Sequence, residues 1–177
     1  MATEAQINQV KRKIGEVLVS GGISYTRDAV SDIPRIEKTQ EFIKNALSNY
    51  GMSIVFLDGK YYTTSWDNWQ KVIEVMNPIF QKIPWKSESG DCDNRAILCS
   101  ALIAFMFDLT MCSPDYCDVY NAHTGQHVDW HYNNLIIDDA GNVYLWDLDN
   151  NCMVQKITSN TPVMGNWKYN LSGIRPF

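Results

Sequence analysis

The chain has little of what several functional classes require. No apolar stretch reaches the roughly 20 residues of a membrane-spanning helix. No charged leader with a long apolar core and a small-residue cleavage site opens the N-terminus, so no secretory signal is read there. The 5 cysteines are an odd set without the paired spacing of a zinc ribbon, Cys112 and Cys117 standing by themselves. No Lys/Arg cluster offsets a net charge of −5 and a pI near 5.1, which argues against binding to a phosphate backbone. Lys11-Arg12-Lys13 reads as the charged face of an amphipathic helix. Repeats, linkers and low-complexity segments are absent as well. The expectation is a single domain over residues 1–177 in a reducing, cytoplasmic setting, with neither nucleic acid nor membrane as partner.

What is present describes a globular chain. Its 177 residues can bury a substantial core, and the apolar and aromatic shares are too high for disorder. Ile7, Val10, Ile14, Val17 and Leu18 recur at helical spacing until Gly21-Gly22. Ile36, Ile43 and Leu47 suggest a weaker second helix after Pro34. Asp58-Gly59, between Ser53–Leu57 and Lys60–Thr64, reads as the tight turn of a β-hairpin. Trp66, Trp69, Ile73, Met76 and Phe80 line a third helix, capped by Thr64 or Ser65 and ended by Pro84. A fourth helix is expected from about Asp93 to Asp108, apolar almost all round and therefore central. Beyond Pro114 the pattern turns to strands at Val128–Ile137 and Val143–Asp147, joined by a turn at Asp138–Asn142, with perhaps one short strand in the tail. The fold class expected is α+β, helices first and an antiparallel sheet second.

Gly90-Asp91-Cys92-Asp93 carries the chemistry. A thiol attacks a carbonyl as its thiolate, and helix N-termini and imidazoles stabilise that form. Cys92 stands where the fourth helix begins, beside the cap-type residues Asp93-Asn94, so the helix dipole favours its anion. A cysteine hydrolase also needs a base and a group to orient it. His131, in His-Tyr-Asn-Asn-Leu-Ile-Ile, and Asp147, closing Val-Tyr-Leu-Trp-Asp, can meet on adjacent strands of a hairpin. His127 and Asp149 are rivals for the two roles. His123, His127 and His131 would share one face of a helix and form a zinc site, though Thr124-Gly125 breaks a helix there. Cys99 reads as core. Trp66 and Trp69 read first as core aromatics, one of which could wall the groove beside Cys92, and Trp66 and Trp130 are the candidate substrate-binding residues. The backbone N–H of Cys92 would form half of an oxyanion hole, with Gln70 or Trp66 as candidates for the other half.

These motifs resemble those of the transglutaminase-like and papain-like cysteine hydrolase superfamily. Its pattern is a Gly-Asp-Cys helix start, a His opening a strand, and an Asp, Glu or Asn closing the next. The likeness runs from Trp85 to Asp149. Asp91-Cys92-Asp93-Asn94 and His131-Tyr132-Asn133-Asn134 also resemble the protease domain of fungal agglutinins and related phage and bacterial proteins. There the stretches read Asp-Cys-Asp-Asp and His-aromatic-Asn, with Glu in place of Asp147. The resemblance implies a papain/transglutaminase-like fold and a calcium or manganese ion at Asp91 and Asp93, where Asn94 removes one charge of the family pattern.

The function expected is a thiol-dependent hydrolase or acyl transferase that cleaves an amide bond of a peptide or protein. Cys92 would attack, His131 would move the proton and Asp147 would hold the ring, with no cofactor required. Two other classes fit the sequence: a non-catalytic binding module on the same fold, and a small metal-binding protein using His123, His127 and His131.

Overall fold

A computed structural model describes residues 33–56, 58–83 and 91–174. Along the chain these form β1 (Ile36–Thr39), α1 (Gln40–Ser48), β2 (Ser53–Ile54), β3 (Lys60–Thr63), α2 (Trp66–Lys82) and α3 (Cys92–Phe107). There follow β4 (Cys112–Asn121), β5 (His127–Ile137), β6 (Val143–Asp147), β7 (Met153–Lys156), β8 (Val163–Met164) and β9 (Trp167–Ile174). The described residues are thus an α+β mixture of helices and a mainly antiparallel sheet. The helix expected over Ile7–Leu18, its Gly21-Gly22 stop, Pro84, Trp85 and Gly90 lie outside the described residues.

The main sheet runs β2-β9-β4-β5-β6-β7, with β8 paired to β9. Every pairing is antiparallel except β2 with β9. β6 is buried throughout, as Val-Tyr-Leu-Trp-Asp between two neighbours requires. Asp138 builds the β5–β6 turn with its own side chain: Oδ1 accepts from the backbone of Ala140 at 3.0 Å and Asn142 at 2.8 Å. Gly141 takes the positive φ of 82° that the turn needs. β6 pairs with β5 only from Asn134 to Ile137, so the first half of β5, which carries His131, extends past it.

α3 packs on β4 and β5 and is pinned there by polar contacts. Asn134 Nδ2 donates to Ala96 O at 2.9 Å and to Ser100 Oγ at 2.7 Å. α2 buries Trp69, Val72, Ile73, Met76, Ile79 and Phe80 at helical spacing, and Trp69 Nε1 is satisfied by Thr63 Oγ1 at 3.0 Å. Each fully buried large apolar side chain contributes about 1.5–3 kcal/mol. Asp108, at a left-handed φ of 56°, ends α3.

Several expectations fail for one physical reason: local pattern does not choose a distant partner. Ile36 sits on β1, with the helix beginning only at Gln40. Asp58-Gly59 does not join two paired strands. β2 runs parallel to β9, while β3 pairs with β1. Ser65, one of the two expected caps, does take the N-cap position of α2, though without a side-chain hydrogen bond. α3 is not buried all round, for Ile97 and Phe105 are exposed on one face. The tail holds three strands where one was expected.

Candidate active site

Cys92 is the first residue of α3 and is half-buried, so its thiol sits at the positive end of a four-turn helix and remains reachable. Asp91 occupies the N-cap position and makes no side-chain cap hydrogen bond. The first helical bond runs from Arg95 N to Asp91 O at 3.0 Å. Asp93, expected as a cap, instead accepts from the neighbouring Asn94 N at 2.7 Å.

His131 is buried on β5, and its Nε2 lies 3.0 Å from Asp147 Oδ1. Its Nδ1 is the nitrogen left for the thiol. The sulfur of Cys92, a ring nitrogen of His131 and a carboxylate oxygen of Asp149 all lie within 4.8 Å of one another. Burial alone would disfavour the imidazolium. Hydrogen bonds to Asp147 and Cys92, reinforced by their charges, outweigh it and push the His131 pKa up to about 10.

Asp147 has no exposed surface, yet both of its oxygens are hydrogen-bonded. Oδ1 accepts from His131 and from the backbone N–H groups of Asp149 at 2.9 Å and Asn150 at 3.1 Å. Oδ2 accepts from the Tyr169 hydroxyl at 2.6 Å. Burial pulls its pKa upward, but the bonds from His131, Tyr169 and the Asp149 backbone prevail and hold it below the usual carboxylate range. A buried carboxylate so surrounded stays ionised and fixes the ring it faces.

Asp149 also lies beside the thiol, and its carboxylate pairs with Arg95. Arg95 Nε approaches Asp149 Oδ1 at 2.8 Å, an ion pair off the N–H direction. The rest of the guanidinium donates to the carbonyls of Ile83 at 2.7 Å, Phe80 at 2.9 Å and Leu148 at 3.1 Å. Arg95 therefore clamps the first turn of α3 to the end of α2 and to the segment after β6. Burial raises the Asp149 pKa, with Arg95 opposing.

A cavity of about 260 Å³ opens beside the thiol, lined by Cys92, Val119, Val128, Asp129, Trp130, His131, Asp149 and Trp167. Trp130 is more than half exposed on its rim. Trp167 meets the His131 ring edge-on at 5.5 Å and shields it. Trp66 is elsewhere, stacked flat on Tyr144 at 3.6 Å, and neither it nor Gln70 lines the cavity. Those two candidates for the oxyanion hole and the Trp66 wall are therefore set aside.

The three histidines do not converge. Along a strand four residues span about 13 Å, so His127 and His131 cannot share an ion. His123 Nε2 meets Asn166 Oδ1 and His127 Nε2 meets Asp118 Oδ1, each at 3.3 Å. Among the described residues the metal-capable cluster is Cys92, His131 and Asp149. Asp91 and Asp93 form a separate acidic pair. The Asp91 carboxyl hydrogen-bonds that of Asp93 and, with burial, raises its pKa. Two carboxyls in mutual contact are an oxygen-only donor pair of the kind a hard cation takes.

Arg95, Tyr169 and Trp167 were not read from the sequence. Arg95 had a signal, since it is the one charge inside an apolar run, and a buried charge must find partners. Trp167 and Tyr169 are ordinary aromatics of a tail whose strand pairing is long-range. Comparison of the chain with protein-family models, with curated proteins and with solved structures found no match.

Proposed function

We propose that the protein is a thiol-dependent hydrolase or acyl transferase acting on an amide bond of a peptide or protein, on a papain/transglutaminase-like fold with the helical part first. The observation that carries this reading is the doubly anchored imidazole. His131 gives Nε2 to a buried, ionised Asp147 and keeps Nδ1 toward a cysteine at a helix start. The order Cys92, His131, Asp147 and the likeness of their motifs to the transglutaminase-like and papain-like superfamily point the same way.

The Cys92 thiolate attacks the amide carbon, and the developing oxyanion is met by N–H groups at the start of α3. His131, charged in the resting pair, gives its Nδ1 proton to the departing amine as the C–N bond breaks, leaving a thioester on Cys92. Nδ1 then takes a proton from water, whose oxygen attacks the thioester carbon. The acid leaves and the thiolate–imidazolium pair is restored. Hydrolysis is favoured over transfer to an amine because nothing marks a second amine site. Val119, Val128, Trp130 and Trp167 give the cavity an apolar wall suited to an uncharged side chain near the scissile bond.

No cofactor is needed for these steps. Asp91 and Asp93 would hold calcium or manganese, whose charge would neutralise the carboxyl pair beside the thiol. All five cysteines are free thiols, in keeping with a reducing compartment such as the cytoplasm. Among the described residues no helix is long and apolar enough to cross a membrane.

A panel of peptide amides, followed by mass spectrometry for a thioester on Cys92, tests this function. Cys92→Ser and His131→Ala should abolish turnover with little change in Tm, whereas Asp147→Asn should leave a residue above the uncatalysed rate. Full turnover in Cys92→Ser would refute the reading. A chain that forms no thioester with any peptide is a binding module on this fold.

A further inference from the structure

We propose that Cys92, His131 and Asp149 form a reversible site for a thiophilic divalent cation, zinc above all, and that the ion switches the thiol off. The consequence for catalysis rests on the function proposed above; the binding itself does not.

Three donors of the right kinds are already gathered. A cysteine sulfur, an imidazole nitrogen and a carboxylate oxygen within 4.8 Å of one another are a mixed S/N/O set from three residues. Zinc takes such sets tetrahedrally at about 2.0–2.3 Å and leaves the fourth position to water. Closing on the ion brings the donor atoms to roughly 3.3–3.8 Å apart, a movement of about an ångström for side chains at a helix end and on a turn. Sulfur and imidazole select zinc over calcium or magnesium, which distinguishes this cluster from the oxygen-only pair Asp91–Asp93.

The surroundings are those of a metal site. A ligating histidine characteristically gives its other ring N–H to a carboxylate, which fixes the tautomer and raises ligand basicity. Asp147 does this for His131 at 3.0 Å and is itself fixed by Tyr169 at 2.6 Å. Asp149 is steadied by Arg95 at 2.8 Å, which leaves its second oxygen for an ion. The cavity beside Cys92 and Asp149 supplies the route in and the open position.

Binding is a proton-balanced ligand exchange. The ion forms bonds to Sγ, Nδ1 and the carboxylate oxygen and sheds waters. The one proton shared by the thiol–imidazole pair goes to solvent. No electrons move. The nucleophile's lone pair and the base's lone pair are then both occupied, so attack and proton transfer stop together until a chelator removes the metal.

The test titrates zinc chloride into the reduced full chain against a chromophoric chelator while iodoacetamide labelling of Cys92 is followed. One zinc per chain should bind and should suppress labelling, and excess chelator should restore it. Cys92→Ser and Asp149→Asn should each weaken binding at least tenfold, and Asp147→Asn by about tenfold through its hold on His131. His123→Ala should leave zinc affinity unchanged, since that ring faces Asn166. Zinc affinity that survives both Cys92→Ser and Asp149→Asn, or zinc that binds without protecting Cys92, overturns the site. The two proposals fail separately. Fast labelling and turnover without zinc binding overturn only the metal site. Stoichiometric zinc through these residues, in a chain whose metal-free thiol is no more reactive than its other cysteines, overturns the thiol enzyme and leaves a metal centre.

Discussion

Tyr169→Phe isolates one atom on which the site depends. The ring of Tyr169 is fully buried and stays packed in the variant, so the change removes only the hydroxyl that donates to Asp147 Oδ2 at 2.6 Å and accepts from Asn150 Nδ2 at 3.3 Å. A hydrogen bond to a charged partner contributes about 1.5–3 kcal/mol. Loss of about 2 kcal/mol of unfolding free energy is therefore expected at pH 7, or roughly 4–8 °C in Tm for a chain of this size. Asp147 keeps its three other donors, so the triad loosens without collapsing. A fall in kcat/KM of about tenfold, equal to about 1.4 kcal/mol in the barrier, is expected. Urea denaturation and turnover measure the two effects. Both should shrink by at least half when Tyr169→Phe is made in an Asp147→Asn background, because the two residues share one bond. A neutral Tyr169→Phe, or costs that simply add to those of Asp147→Asn, would refute the claim that Tyr169 acts through Asp147.

Two further outcomes follow from the charges. The folded-state pKa of His131 is raised from 6.5 to about 10, so its stabilising contribution is complete below pH 6.5 and is lost as the pH rises through about 10. Chemical denaturation across that window should show stability falling, with a shallower fall in Asp147→Asn; identical slopes would sever the link between the two residues. Millimolar calcium or manganese should raise Tm through Asp91 and Asp93, and the rise should vanish in Asp91→Asn. Turnover should persist in chelator, and its loss there would give the ion a catalytic part.

The sequence showed most where the determinants are local. The start of α3 is marked by a polar cap run against an apolar stretch, and the β5–β6 connection by Asp138 and Gly141, whose side chain and positive φ build the turn from within. His131 and Asp147 could be placed on adjacent strands for that reason. Where pairing is long-range, local pattern misled. Asp58-Gly59 has the composition of a hairpin turn, yet β2 finds β9 more than a hundred residues away, and β3 finds β1. Tyr169 and Trp167 reach the site only because β9 lies beside β4, which no local feature of the tail encodes. The groove wall assigned to Trp66 went wrong likewise, since that ring is claimed by Tyr144 on β6. Arg95 was legible in principle as a lone charge in an apolar helix, but its partners lie on two distant segments, the end of α2 and the residues after β6.

The relative reactivity of the cysteines tests the central claim most directly. Cys92 is half-buried at a helix start beside an imidazole, whereas Cys99, Cys112, Cys117 and Cys152 are buried. Burial further holds the thiols of Cys99, Cys117 and Cys152 protonated. Iodoacetamide labelling of the folded, metal-free chain near neutral pH, read residue by residue by mass spectrometry, should modify Cys92 first and should slow markedly in His131→Ala. Labelling of Cys92 no faster than the other four, or a rate indifferent to His131, would contradict a catalytic thiol at this site.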